Sequence, residues 1–374
     1  MVRHEQQQLL PAFSTLALHP SILSLIQRLR TVLMMTSRIS LAALFGIASL
    51  AICKAPVFFY GRNSTPTIHE VYTFPVNTSV ENLAVRPGGE VLATVDSAPE
   101  LYQIIPFSSE QPTLVYDFPG YESLLGIVEV EEDQFYVAAG NFSVFTLEST
   151  KGSYAIFHVD MSSFRATRGT VQSQAVIKKV TDIPEGELLN GLGLFSREKG
   201  LVYVADSGTG IIYLVNVRTG AYWPAIHDAL GVKGDPYPFY PAVNGVRYDP
   251  RGRAVYFTNV AQAVFARVPV FANGSAAGAG EIIASGELYD DFVLDEAGNA
   301  LVAVFGSSDV IRIDAATGES MIIAGSLNST DLQAATAVAW GRTRRDSHSL
   351  YVSRNGGIGW PSAVGGAVMR IDMY

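Results

Sequence analysis

Glu81, Asn190, Asn244 and Asp290 each stand at the head of a short, mostly apolar run: Glu81-Asn82-Leu83-Ala84-Val85, Asn190-Gly191-Leu192-Gly193-Leu194, Asn244-Gly245-Val246-Arg247-Tyr248 and Asp290-Asp291-Phe292-Val293-Leu294. Two carboxylates and two amides brought to one point form an all-oxygen site. Such a site suits a hard cation, Ca²⁺ or Mg²⁺, with positions left for water or substrate. The same carboxyls can instead move protons on a bound substrate. Taken singly, each residue is explained as a turn residue at a strand start, because Asn-Gly and Asp-Asp are ordinary turn dipeptides. Four of them in register favour a shared pocket.

What could bring them together is a repeat. Two further copies begin at Ser123-Leu124-Leu125-Gly126-Ile127 and Thr336-Ala337-Val338-Ala339-Trp340. Each copy continues through a turn into a β-branched and aromatic run, as in Leu201-Val202-Tyr203-Val204-Ala205 and Ala254-Val255-Tyr256-Phe257-Thr258. A third strand follows in several copies, for example Ile211-Ile212-Tyr213-Leu214-Val215. No long amphipathic helix interrupts the series. The pattern predicts an all-β chain, a six-bladed β-propeller of four-stranded antiparallel blades, with the leading residue of each copy facing the central channel. A ring of blades must not leave a raw edge. The short strand Val71-Tyr72-Thr73-Phe74 is therefore expected to pair with the C-terminal blade, whose last strand ends at Tyr374. Residues from about Thr150 to Pro184 read as an insert between the second and third blades.

The chain has 374 residues, a formal net charge of −9, and 48% hydrophobic against 16% charged residues. That composition supports a large core, and with no basic run in the repeat region it argues against a nucleic-acid partner. Arg38 followed by the uncharged run of residues 39–53 has the order of a secretory signal, and Met34 or Met35 are alternative starts. Residues 1–55 are thus expected to be a targeting segment, 56–66 a polar linker and 67–374 the propeller. A membrane would be met only through an uncleaved N-terminal anchor. Sequons at Asn63, Asn77, Asn141, Asn273 and Asn328 fit a glycoprotein of the secretory pathway, either secreted or held in the endoplasmic reticulum or vacuole lumen. Cys53 is the single cysteine, so no intramolecular disulfide is available.

The copies resemble the six-bladed propellers of the SMP-30/gluconolactonase/luciferin-regenerating-enzyme family over about residues 68 to 374. The resemblance implies a divalent metal in the channel, held by Glu81, Asn190, Asn244 and Asp290, with Asp290 also the base. The framing differs from the family's: Glu-Gly-Pro-x-Trp is here Glu81-Asn82-Leu83-Ala84-Val85, and Pro-Asp-Gly is Tyr289-Asp290-Asp291. The runs Glu81-Asn82-Leu83-Ala84-Val85, Phe135-Tyr136-Val137-Ala138-Ala139-Gly140-Asn141-Phe142-Ser143 and Asp291-Phe292-Val293-Leu294-Asp295 look more like a fungal branch of these propellers. That branch includes the hetero-Diels–Alderases of tropolone sesquiterpenoid biosynthesis, a secondary-metabolite pathway.

Before Asn244 the chain reads Asp235-Pro236-Tyr237-Pro238-Phe239-Tyr240-Pro241, a stiff aromatic loop expected to wall the channel mouth. Tyr121, Trp223, Ser123 and Thr336 are further candidates for substrate contact, whereas Trp360 reads as packing against neighbouring blades. The resemblance implies a cyclase that joins a quinone methide to a terpene alkene. It would need no cofactor and would use Asp290, Glu81, Asn82, Asn190, Asn244 and Tyr237 as proton-transfer or hydrogen-bonding groups. Two other functions are compatible with the residues: a metal-dependent lactonase or esterase, and a non-catalytic binding propeller. The expected partner is a small apolar molecule. There is no Gly-x-Ser-x-Gly, no His-x-x-x-His and no phosphate-binding glycine loop, so a nucleotide cofactor has no visible home.

Overall fold

The computed structural model describes residues 66–327 and 329–373. The signal segment, the starts Met34 and Met35, Cys53, nearly all of the linker, and the sequons Asn63 and Asn328 lie outside the described residues. Within them the regular elements are β-strands, and six four-stranded antiparallel sheets form the blades of a propeller. The innermost strands are Val80–Val85, Ser123–Glu131, Leu189–Ser196, Val243–Asp249, Tyr289–Leu294 and Ala335–Trp340. Each touches the next around a complete cycle, the last returning to the first. In the sixth blade the order is Ala335–Trp340, Ser349–Arg354, Gly365–Asp372 and then Thr67–Val76, which pairs antiparallel from Thr67↔Asp372 to Val76↔Gly365.

The second strand of each blade is covered on both faces by neighbouring blades. This is why Leu201–Asp206 and Ala254–Asn259 read as unbroken apolar runs, not as alternating ones. Between the second and third blades, for instance, Leu125, Tyr136 and Ile156 pack with Leu192, Val204 and Tyr213. The stretch expected as an inter-blade insert is in fact the outer half of the second blade. Ala155–Asp160 and Val176–Asp182 are its third and fourth strands, and the small hairpin Arg165–Thr167/Thr170–Ser173 joins them.

Every inner strand carries a register shift near its start, as between Leu189 and Leu192 or Val243 and Val246. Such a bulge re-aims side chains and frees residues from the ladder. It also brings neighbouring inner strands close. A Cβ on Gly126 would collide with the Asn190 carbonyl, and one on Gly191 with the Asn244 carbonyl. The Asn-Gly pairs are thus close-approach sites and not turns. Gly191→Ala is expected to cost about 1–3 kcal/mol through overpacking. In a domain of this size that lowers the melting temperature by roughly 1.5–5 °C. A thermal melt that matches wild type would refute the close approach.

Candidate functional site

The shared register shift defines one equivalent residue per blade. It follows Val80↔Val95, Leu124↔Ala139, Leu189↔Asp206, Val243↔Asn259, Tyr289↔Val304 and Ala335↔Arg354. These residues are Glu81, Leu125, Asn190, Asn244, Asp290 and Thr336, and all six line one cavity of about 230 Å³. The ends of second strands add to it: Asp96 follows Val91–Val95, Phe305 follows Ala300–Val304 and Asn355 follows Ser349–Arg354.

The polar side of the cavity holds buried acceptors in excess. Asp96 Oδ1, Asn190 Oδ1, Asn244 Oδ1 and Asp290 Oδ1 are buried without a hydrogen-bond partner. Buried polar atoms are normally paired, so four orphaned oxygens around one cavity mark a place for ordered water, a polar ligand, a cation or a proton. Burial, and then the charges of Asp290, Asp96 and Asp291, hold the Glu81 carboxyl well above the ordinary carboxylate range. Burial followed by Asp291 and Asp96 does the same to Asp290, against a hydrogen bond with Asn244 that pulls the other way. Burial pushes Asp96 up to about 7, opposed by a hydrogen bond with Ser79. The oxygen set fits a hard divalent cation in type. Among the described residues no three His, Cys, Asp or Glu side chains converge as a metal site by themselves, so the amide oxygens of Asn190 and Asn244 would have to complete it.

The apolar side comes from three segments. Phe142, Val144, Phe145 and Leu147 belong to a small hairpin, Phe142–Ser143 paired with Glu148–Ser149, that extends from the second blade. Tyr240 and Pro241 come from the loop before the fourth blade, and Ile358 and Trp360 from the sixth. The Trp360 ring meets Phe305 edge-on at 5.8 Å.

One residue further along the inner strands the channel is filled. Asn82 Nδ2 donates to Asp291 Oδ2 at 2.8 Å, and Arg247 pairs with the same oxygen at 3.0 Å. This ties the first, fourth and fifth blades together. Asn82 therefore does not line the cavity, contrary to expectation, because its amide is committed to Asp291.

Several other expectations need correction. Ser123 bonds the Gly140 carbonyl and leaves its place to Leu125, two residues on. Thr336 lines the cavity, but its hydroxyl is bonded to the Val80 carbonyl at 2.8 Å, joining the sixth blade to the first. Of the aromatic loop, only Tyr240 and Pro241 reach the cavity. Phe239, 89% exposed, and Pro241 line an adjoining hollow with Lys151, Glu187 and Lys233, and Tyr237 lines neither. Tyr121 packs edge-on against Phe157 within the second blade. Trp223 sits on the outermost strand of the third blade, Tyr222–His227. Trp360, expected to pack only against blades, is a cavity wall. Sequence reasoning also missed Asp96, Leu125, Phe305 and Asn355. The readable signal for three of these was their place directly after the apolar second strands.

Fold and site together define a six-bladed propeller whose channel mouth carries an acid- and amide-lined cavity with an aromatic wall. The chain is 24% identical over 326 residues to a Phoma sp protein named "Putative hetero-Diels-Alderase", spanning 79% of this chain and 89% of that one. It is 21% identical over 316 residues to a protein of the same description, asR5, from Sarocladium schorii, spanning 76% and 77%. Among solved structures it superposes on a luciferin-regenerating enzyme with TM-score 0.59 at 15% identity, over 82% of this chain and 95% of that one. Regucalcin of Agrobacterium tumefaciens, a calcium-binding protein, gives 0.55 at 16%, over 83% and 97%. These likenesses show the fold. No family model matches the chain.

Proposed function

We propose that this chain is a cyclase of the hetero-Diels–Alderase type in fungal secondary metabolism, joining an electron-poor quinone methide to a terpene alkene. The observation that carries the reading is one cavity in which carboxyls held well above their ordinary range, Glu81 and Asp290, face an aromatic wall of Phe142, Phe305 and Trp360. The names of the two relatives support the same reaction class.

In this reaction one C–O and one C–C bond form together and no atom is lost. The protein's task is to hold the reactants in near-attack geometry and to polarise the carbonyl of the heterodiene. Orientation can remove roughly 7–11 kcal/mol of a barrier in well-aligned cases. A buried, protonated carboxyl is a strong donor to a carbonyl oxygen as it gains negative charge. Asp290 or Glu81 would also give a proton to the departing hydroxyl when the quinone methide forms from a hydroxymethyl precursor. The test is incubation of purified protein with precursor and alkene. One stereoisomer formed faster than without protein is expected; a stereorandom adduct at the uncatalysed rate would refute the reading.

The four orphaned oxygens favour a second reading, a metal-dependent lactonase or esterase of the SMP-30 type. A divalent cation held by Glu81, Asn190, Asn244 and Asp290 would act as a Lewis acid on an ester carbonyl. Calcium is expected to raise the melting temperature at pH 7.5, by about 2.7 kcal/mol of stability at a hundredfold over its Kd, and Glu81→Gln to abolish that gain. A calcium-independent melt would leave the cluster to act through its protons alone. Passage through the secretory pathway belongs to this proposal as well, supported by the exposure of Asn77 and Asn273.

A further inference from the structure

Five of the six equivalent ring positions carry polar side chains; the sixth is Leu125, 1% exposed. Leucine there removes a hydrogen-bonding group from one sector of the ring. The apolar surface then continues through Phe142, Val144, Phe145 and Leu147 of the hairpin, and Leu188 leads into the third blade. Phe145 and Leu147 remain 55% and 54% exposed while lining the cavity, so their apolar area is still available to a ligand. In ring order the second blade lies opposite the fifth, which carries Asp290.

We propose that this sector is a hydrocarbon subsite, with Leu125 and Phe145 its specificity-determining residues, and that it takes an unsaturated terpene hydrocarbon lacking polar groups. The choice of a terpene, and its role as the alkene reactant, rest on the cyclase reading; the binding of an apolar hydrocarbon in this sector does not. An alkene against Leu125 would lie across the channel from Asp290, with the oxygenated reactant between them. That order brings the alkene to one face of the heterodiene and the acid to its carbonyl oxygen. A polar residue in place of Leu125 would spoil the arrangement, because it would be left without a partner against the hydrocarbon.

The probe is α-humulene, a cyclic sesquiterpene triene, titrated against the full chain and followed by quenching of Trp360, with Trp360→Phe as the optical control. Each methylene-sized loss in an apolar pocket is worth about tenfold or more. Phe145→Ala, at an exposed position that leaves folding undisturbed, is therefore expected to weaken binding by about tenfold, and Leu125→Asn by at least as much. Unchanged hydrocarbon affinity in Phe145→Ala and in a folded Leu125→Asn would overturn the subsite. Cyclisation assays separate the two proposals. An alkene KM unchanged in both variants of an active cyclase removes the subsite and leaves the cyclase. Leu125-dependent binding with no adduct formed removes the cyclase and leaves the subsite.

Discussion

Replacing Asp290 with alanine is expected to slow enzymatic cyclisation by about 10²–10³-fold, the loss of roughly 2.7–4 kcal/mol that follows removal of one placed donor in a dry site. Asp290 is 6% exposed and lines the cavity, and its Oδ1 is buried without a hydrogen-bond partner, which leaves that oxygen free to meet a substrate. The effect should fall on kcat and leave the KM of the alkene unmoved, because Asp290 offers nothing to a hydrocarbon. Asp290→Asn separates two duties. Its amide can still donate to a carbonyl, so a preformed heterodiene should cyclise faster than with alanine. It has no acid proton, so formation of the quinone methide from the hydroxymethyl precursor should remain as slow as in the alanine variant. Rates measured from both starting materials check this; wild-type turnover in Asp290→Ala would remove Asp290 from the chemistry.

A second large effect is expected from Asp96, which no sequence motif marks. Its folded-state pKa is about 7 against an ordinary value of 3.8, chiefly through burial. Between those two pH values the folded chain keeps a proton that the unfolded chain has lost, so stability falls as pH rises across the window. The contribution is fully present below the unfolded value and gone above about pH 7. This is opposite in sign to a salt-bridged carboxylate. Asp96→Asn removes the titration. It is therefore expected to gain stability relative to wild type on going from pH 4 to pH 7.5, by on the order of a few kcal/mol. Denaturant titrations at both pH values decide it: parallel pH profiles for the two proteins would show that Asp96 does not titrate in the window.

The blades were legible because second strands buried on both faces must be continuously apolar, and Leu201–Asp206 and Ala254–Asn259 declare themselves. Glu81, Asn190, Asn244 and Asp290 were legible because each is a polar residue heading such a unit. The second blade was misread for a physical reason. Polarity alone selects Ser123, whereas the register shift presents Leu125, and a bulge leaves no mark in composition. Asp96 and Asn355 look like turn residues until the fold shows that those turns open onto the channel. The loop 235–241 was overvalued because three prolines make a segment stiff without saying which way it leans. Phe239, 89% exposed, leans away from the central cavity.

The bulge has an evolutionary consequence. It sets six equivalent dipeptides around the channel, Glu81-Asn82, Leu125-Gly126, Asn190-Gly191, Asn244-Gly245, Asp290-Asp291 and Thr336-Ala337. In each, the first residue lines the cavity. The second keeps the peace between blades, either by being small or, for Asn82 and Asp291, by bonding its counterpart. Such a ring can be rewritten largely one spoke at a time, Thr336 being the exception because its hydroxyl also holds the sixth blade to the first. Propellers sharing little more than shape can then diverge from hydrolysis to cyclisation to plain binding through a handful of substitutions. Reading these twelve positions as a code would sort uncharacterised propellers more sharply than overall identity does.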